Sequence, residues 1–288
     1  MRAMGLAMLA LLGACAGAAA ASARSADVAA LQVALYARGL YAGDVDGLPG
    51  PGTAAALRAF QRRARLAADG IAGPRTRRAL GRHGRHPYGS RTLRRGHVGW
   101  DVAALQFRLA LHGFPSGAFD GGYGWHAVAA VTRFQRWAGL APDGVAGPAT
   151  LRALATAPVP RSPIALLRPV AAPVGDRFGP RWHGFHAGVD FSAPYGARVR
   201  AAAAGRVVFA GHDASGFGNL VVVAHGGGVL TRYAHLSRFA VRRGDPVAAG
   251  ATLGRVGATG RATGPHLHFE VLVRGANADP LPALTASR

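Results

Sequence analysis

Apolar residues recur at helical spacing in the first half of the chain. Val28, Leu31 and Leu35 follow one another at intervals of three and four, and a second set of this kind surrounds Leu57. This spacing places apolar side chains on one face of a helix. Gly39 stands where the first helix would end, and Pro74 stands where a third, short helix would begin. The pattern predicts a bundle of three small helices joined by Asp-Gly turns.

The helical pattern occurs twice along the chain. Residues 27–80 and 101–154 align without a gap at a constant offset of 74, and about half of the paired positions are identical. Each copy contains the signature Asp-Gly-x-x-Gly-Pro-x-Thr, at 69–76 and again at 143–150. Two copies of this length predict two tandem all-α domains rather than a solenoid.

Beyond about residue 165 the apolar positions form short runs instead. Residues 207–209, 220–223 and 269–273 are rich in β-branched and aromatic side chains, and glycine-rich turns separate them. Such runs are typical of strands. The chain is therefore predicted to be multidomain, with two small all-α three-helix domains followed by a mostly antiparallel all-β domain.

Changes in composition mark the predicted boundaries. Arg, His and Gly between the two copies are typical of a solvated linker, and Ala and Pro after the second copy are typical of a semi-rigid spacer. The predicted units are a signal segment at 1–23, repeats at 25–82 and 98–156, linkers at 83–97 and 157–168, and the β domain at 169–284.

The first 23 residues are typical of a secretion signal. Arg2 precedes an apolar run that is too short for a stable membrane span, and small residues follow it. Cys15, the only cysteine, ends a sequence that resembles a lipoprotein processing site, where it would be lipidated; the alternative is cleavage after Ala21 or Ala23. Both alternatives predict an extracytoplasmic protein, in the periplasm or cell wall, and a membrane is a partner only if Cys15 is lipidated.

The chain is strongly basic. It has 34 Arg and no Lys against 13 acidic residues, which gives a formal net charge of +21. Such a charge favours anionic partners. The arginines are scattered over helix faces and linkers, without a motif that reads base edges, so nucleic acid is not predicted as a partner.

His and Asp are spaced in the β domain as metal ligands would be. Side chains alternate between the two faces of a strand, so His266 and His268 are predicted to point the same way. His186 and Asp190, four residues apart, would lie on one side of an extended segment. Imidazole and carboxylate groups bind zinc, and three protein ligands with an open fourth position characterise a catalytic zinc. The spacing therefore predicts a zinc site.

The two helical repeats resemble the tandem peptidoglycan-binding domains of bacterial wall hydrolases, through the signature given above. The resemblance implies that peptidoglycan is a partner. Turn and cap chemistry alone would also explain the signature, so individual binding residues are not predicted. Trp100, Trp125, Trp137 and Tyr123 of the second copy either stack on a sugar or belong to the core.

The β domain resembles the lysostaphin-like zinc endopeptidases, which cut peptide cross-links of bacterial walls. Five motifs in order carry the resemblance, at 178–181, 186–194, 218–219, 231–237 and 264–270. It implies that His186, Asp190 and His268 bind Zn²⁺ and that a water takes the fourth position. It also implies a second pair of histidines, His235 and His266, beside the metal.

The resemblance also suggests catalytic roles. His266 is the predicted general base, and His235 would either hydrogen-bond the developing oxyanion or protonate the leaving amine; these two assignments are interchangeable. Glu270 shares a strand face with His268 and is an alternative base, although the resemblance favours a supporting role. Tyr233 is predicted to share the face of His235, from which its hydroxyl could add a polar contact to the substrate.

The predicted function is that of a secreted zinc-dependent endopeptidase, which hydrolyses peptide cross-links or stem peptides of peptidoglycan. The two repeats would hold it at the wall and raise the effective substrate concentration, and its charge would add salt-sensitive attraction to anionic wall polymers. The alternative is a non-catalytic wall-binding protein or an activator of other wall hydrolases. The presence of every ligand position favours the enzyme.

Overall fold

The structure is a computed structural model that describes residues 24–285. The predicted signal segment, with Cys15, lies outside the described residues. The α-helices are α1 (Ala26–Tyr36), α2 (Pro51–Arg63), α3 (Pro74–Ala79), α4 (Trp100–Leu111), α5 (Trp125–Trp137) and α6 (Pro148–Thr156), and short 3-10 turns cover Gly81–Gly84 and Leu281–Ala283. Among these helices, none combines the length and the apolar character that a membrane crossing requires.

Local sequence signals explain where the helices begin and end. The Ser25 side chain caps α1 by accepting a hydrogen bond from the N–H of Val28. Pro74 and Pro148 occupy the first turns of α3 and α6, where their missing N–H groups are not needed. Gly39 follows α1 with φ +67°. The predicted pair of three-helix units is confirmed.

A buried glutamine holds each Asp-Gly turn of the repeats. The side-chain amide of Gln61 donates to Oδ1 of Asp69 over 2.7 Å, and Oε1 of Gln61 accepts the N–H of Gly70 over 2.9 Å. The other glutamines that bond in this way are Gln32, Gln106 and Gln135. The repeated signature therefore builds the turns of the repeats.

The two repeats pack against each other through α1 and α4. Trp100 lies in an apolar core that both repeats share, and its Nε1 donates to Oδ1 of Asp27 over 2.8 Å. Tyr123 is also a core residue, and Trp137 is partly buried. Trp125, by contrast, is 68% exposed. Of the four aromatic residues predicted to stack on a sugar or to fill the core, Trp125 is the one that lies open.

Both predicted linkers contain packed residues. Leu93, within 83–97, is fully buried and exchanges two backbone hydrogen bonds with Ala146, of 3.1 and 2.9 Å. Leu166, within 157–168, is also buried and belongs to the first strand of the β domain. The prediction of a solvated linker is therefore wrong at Leu93, because this apolar side chain in a polar run is anchored to the second repeat.

The β domain consists of short strands. They are β1 (Leu166–Leu167), β2 (Gly179–Arg181), β3 (Gly184–His186), β4 (Val189–Phe191), β5 (Arg198–Arg200), β6 (Gly205–Asp213), β7 (Gly218–Ala224), β8 (Val229–Ala234), β9 (Leu236–Phe239), β10 (Pro246–Val247), β11 (Thr252–Val256), β12 (Leu267–Val273), β13 (Ala276–Ala278) and β14 (Leu284–Thr285). The main sheet runs in the order β10-β6-β7-β8-β12-β13, and β4 also pairs with β12. Its pairings are antiparallel, whereas β1 and β14 pair in parallel. The predicted mostly antiparallel β domain is confirmed.

The main sheet and a separate hairpin of the β domain bring the predicted ligands together. In the main sheet, His268 of β12 lies directly opposite Asp190 of β4. His186 lies at the end of β3, which forms a separate two-stranded sheet with β2. Apolar side chains next to the ligands on these two strands, Phe191 and Phe269, are fully buried in the core of the β domain. The core therefore fixes two of the ligand positions, and a hairpin supplies the third.

Candidate metal centre and active site

The three predicted ligands form one compact group. Nε2 of His186 is 3.1 Å from Oδ1 of Asp190 and 3.1 Å from Nδ1 of His268, and that Nδ1 is 2.8 Å from the same Oδ1. Among residues 24–285, no fourth His, Cys, Asp or Glu joins this group. The arrangement is a candidate metal centre with three protein donors.

Hydrogen bonds on the outer side fix the tautomers of both ligand histidines. Nδ1 of His186 is 2.9 Å from the carbonyl oxygen of Arg177, and Nε2 of His268 is 3.2 Å from Oε1 of Glu270. A carbonyl or carboxylate oxygen can only accept, so these outer nitrogens carry the protons. The inner nitrogens therefore present lone pairs toward Asp190.

Three inward lone pairs at such short distances require a cation among them. Without a metal a proton takes this role: burial disfavours the charged imidazolium, but hydrogen bonds to Asp190 and Glu270 outweigh it and raise the pKa of His268 to about 9. Burial of Asp190 is likewise outweighed by hydrogen bonds from His186 and His268, which lower the pKa of its carboxyl. Ligands of a tetrahedral zinc lie roughly 3.3 Å from one another. The donor set and its spacing fit a zinc-like cation.

Glu270 supports the metal group from behind. It is 3% exposed, and its Oε2 lies 3.0 Å from Nη1 of Arg232, the residue directly opposite on β8. Burial opposes ionisation of Glu270, but the hydrogen bond from His268 and the charge of Arg232 lower the pKa of its carboxyl. Because both oxygens are engaged, Glu270 is suited to orient His268 rather than to act as the alternative base.

Arg232 is a site residue that the sequence analysis missed. It lies opposite Glu270 only because β8 and β12 pair in one particular register. Charge complementarity between the two strands would have suggested the pair, had that register been known. The carbonyl group of Arg177, which orients His186, has no signature in the sequence at all.

His235 and His266 lie together beside the metal group. Their ring centroids are 4.7 Å apart, and Nε2 of His266 is 3.9 Å from Oδ1 of Asp190. Nδ1 of His266 is 2.9 Å from the carbonyl oxygen of Gly264, and Nδ1 of His235 is 2.8 Å from that of Thr259. By the same donor logic, each neutral ring keeps its lone pair on Nε2. The two rings neighbour the candidate metal site without joining it.

The backbone at His235 overturns the expectation for Tyr233. His235 has φ +62° and interrupts the chain between β8 and β9, so strand alternation does not extend to it. Tyr233 is fully buried, and its hydroxyl accepts hydrogen bonds from the N–H of Ala202 and the hydroxyl of Thr231. The prediction that Tyr233 faces the substrate is therefore wrong.

Two glycine-rich loops hold His235 in place. Its N–H donates to the carbonyl of Phe217 over 2.9 Å, and the hydroxyl of Thr259 accepts the N–H of Asn219 over 2.9 Å. Gly218, between Phe217 and Asn219 in the chain, has φ +62°, and a Cβ at this position would lie 2.4 Å from the backbone of Thr259. Only glycine permits this close approach. Burial in these surroundings lowers the pKa of His235 and favours its neutral form.

The antiparallel β domain thus holds a His-Asp-His group with two adjoining histidines, which is the kind of donor set that catalytic zinc sites use. Residues 184–280, which contain all five predicted site residues, match peptidase family M23. Residues 24–80 and 99–154 match the family described as "Putative peptidoglycan binding domain". The chain therefore carries a lysostaphin-like peptidase domain of family M23, preceded by peptidoglycan-binding domains.

Several known proteins are similar to part of the chain. The DD-carboxypeptidase/endopeptidase Mpg of Neisseria meningitidis serogroup B is 44% identical over 114 residues, which cover 39% of this chain and 26% of Mpg. The peptidoglycan DD-endopeptidase ShyA of Vibrio cholerae is 44% identical over 103 residues, 36% of this chain and 23% of ShyA. The catalytic domain of lysostaphin from Staphylococcus simulans is 36% identical, with 38% of this chain and 90% of that chain covered and a TM-score of 0.37. The chain thus matches about a quarter of the length of these two curated relatives.

Proposed function

We propose that this protein is an extracytoplasmic, zinc-dependent endopeptidase that hydrolyses the peptides of peptidoglycan. The names of Mpg and ShyA favour a bond of the D,D type in the cross-links over a glycine bridge. The location outside the cytoplasm rests on the signal-like segment at the start of the chain and on the nature of the substrate.

One observation carries this proposal. Four histidines converge, and each has its outer nitrogen bound to a carbonyl or carboxylate oxygen. In each ring this leaves a lone pair on the other nitrogen. Two of these lone pairs and Asp190 suit the metal, and the other two belong to the neighbouring pair, His235 and His266. Such a set supports both metal binding and proton transfer.

His186, Asp190 and His268 would hold the zinc. When bound, zinc acts as a Lewis acid that lowers the pKa of a water from about 15.7 toward roughly 7. His266 would then accept a proton at Nε2 as the water attacks the amide carbon. Its neighbour His235 would stabilise the oxyanion or protonate the leaving amine. For either task Nε2 of His235 would first take up a proton from the solvent, and the lowered pKa of His235 means that the protonated ring would pass this proton on readily.

The helical repeats would bind the wall. We propose peptidoglycan as their partner, on the basis of their family. Trp125 is exposed although Cζ of Arg95 lies over its ring, 4.1 Å from the centroid, and its open flat surface suits a sugar ring. The formal charge of +21 would add salt-sensitive attraction to anionic wall polymers. A membrane enters this proposal only through lipidation of Cys15.

Digestion of defined muropeptides tests the proposal. The full chain, loaded with zinc, is incubated with D,D-cross-linked dimers and separately with glycine-bridged dimers, and mass spectrometry identifies the products. We expect D,D-linked dimers to give monomers, with activity lost in a chelator and restored by zinc. Binding to wall sacculi without any new amino termini would instead support the non-catalytic alternative.

A further inference from the structure

The three candidate ligands are not held equally. Asp190 and His268 are paired residues on neighbouring strands of the main sheet. His186 ends β3, whose sheet contains only β2 besides. An isolated two-stranded hairpin has marginal stability in water. The position of His186 therefore depends on what else holds the β2–β3 hairpin.

Each helical repeat donates a backbone hydrogen bond to the tip of this hairpin, formed by Trp182 and His183. The N–H of Val45 donates to the carbonyl of Trp182 over 2.6 Å, and the N–H of Phe119 donates to the carbonyl of His183 over 2.6 Å. Val45 and Phe119 are equivalent positions at the 74-residue offset. The internal duplication thus presents two equivalent donors to two adjacent carbonyls of the peptidase domain.

The first repeat adds two contacts of its own. Oδ1 of Asp44 accepts the N–H of Trp182 over 2.6 Å. The ring of Tyr36 stacks on His183, with centroids 4.9 Å apart and planes 24° from parallel. Ala118 stands in the second repeat where the first has Asp44, so the carboxylate contact belongs to the first repeat alone.

The backbone of the tip depends on these contacts. Trp182 has φ +51°, a conformation that bulky residues rarely adopt and that persists only where the surroundings fix it. The first repeat binds both its N–H and its carbonyl. Further along, Phe185 packs against the core of the repeats and edge-on to Phe178, with ring centroids 5.0 Å apart. The next residue is His186.

We propose that the two repeats act together as a positioning device for the metal site. By holding the tip of the hairpin at 179–186, they set Nε2 of His186 at 3.1 Å from Oδ1 of Asp190 and at 3.1 Å from Nδ1 of His268, the other two residues that would hold the metal. The repeats thus have a structural task in the peptidase domain besides wall binding. This inference rests on the proposed function, because it concerns the same metal.

Substitutions at Asp44 and Tyr36 in the full chain test this inference. Asp44→Ala combined with Tyr36→Ala removes one hydrogen bond and the stack. Asp44→Asn combined with Tyr36→Phe keeps an oxygen acceptor and a ring. Asp69→Ala weakens a turn of the same repeat that does not touch the hairpin. The readouts are the zinc Kd, from competition with a chromophoric chelator, and amide hydrogen exchange of residues 177–187 in metal-free protein.

We expect the alanine pair to weaken zinc binding about tenfold and to speed exchange in the hairpin, since supporting contacts typically contribute this much to metal affinity. The conservative pair and Asp69→Ala should match the parent in both measurements. Parental zinc affinity and parental exchange in the alanine pair would overturn the inference. If the parent itself binds no zinc, the proposed function fails, and hydrogen exchange alone then decides whether the repeats hold the hairpin.

Discussion

Buried polar side chains behave differently in the helical repeats and in the β domain. The buried glutamines of the repeats, such as Gln61 and Gln135, form their hydrogen bonds with Asp-Gly turns of the same repeat. The two buried ligand histidines of the β domain, His186 and His268, bind a carbonyl or carboxylate oxygen with the outer nitrogen and turn the inner nitrogen toward Asp190 and toward each other. A polar side chain whose hydrogen bonds are all made within its own repeat stabilises the fold. A nitrogen lone pair that is turned into a site, by contrast, requires a ligand. Substitutions in the two regions should therefore have different consequences.

The largest effect is expected from His268→Ala. This change removes a ligand and leaves the carboxylates of Asp190 and Glu270 without their shared partner. Muropeptide hydrolysis should fall below detection, and zinc content, measured by mass spectrometry of the metal, should fall with it. His126→Ala, an exposed histidine of the second repeat, is the matched control and should match the parent. Parental digestion by His268→Ala would contradict the metal assignment.

His266→Ala should separate catalysis from metal binding. Loss of a positioned proton acceptor typically lowers kcat by about 10²–10⁴-fold. Zinc content should remain near that of the parent, because Nε2 of His266 lies outside the ligand group. Steady-state kinetics together with metal analysis makes this comparison. If zinc is lost along with activity, His266 is a ligand and its role must be reassigned.

Zinc affinity should depend on pH through His268. The raised pKa of about 9 means that below this pH zinc must displace a proton from the metal-free site. The lowered pKa of Asp190 keeps its carboxylate ionised throughout. Affinity should therefore rise with pH by about tenfold per unit, roughly 100-fold between pH 6 and 8. Chelator competition across this range measures it, and a flat profile would contradict the shared proton.

Glu270→Gln should weaken zinc binding by about 10–100-fold without preventing it. The amide still offers an oxygen to His268 but loses the charge that favours the correct tautomer and the ion pair with Arg232. Activity should recover when zinc is in excess. Titration of activity with zinc distinguishes this supporting role from that of a general base, for which excess zinc would restore nothing.

The smallest effect on the site is expected from Gln135→Leu in the second repeat. It leaves the N–H of Gly144 without its partner, which should lower the free energy of unfolding by about 1–3 kcal/mol. Hydrolysis of soluble muropeptides should be unchanged. Denaturant unfolding and kinetics of the same variant test both halves. A loss of activity would show that this turn is coupled to the metal site.

Much of the architecture could be predicted because its causes are local. Helical periodicity, Pro74 and Pro148 at helix starts, and the doubled signature are readable from neighbouring residues. The strand-forming runs in the second half were readable in the same way. Spacing alone pointed to His186, Asp190, His266 and His268, and the five motifs with their resemblance to a known family added His235 and divided the ligands from the neighbouring pair.

The sequence by itself thus determined the elements, their order and the donor types available to a metal. Tertiary structure decided the rest: the side of the chain that Tyr233 faces, the burial of Leu93, the pairing of Arg232 with Glu270, and the hold of the repeats on the hairpin that carries His186. These features depend on backbone carbonyl and N–H groups, on strand register and on the positive φ angles of His235 and Trp182. Every residue except proline has the same backbone N–H and carbonyl groups, so the sequence does not reveal which of these groups will meet.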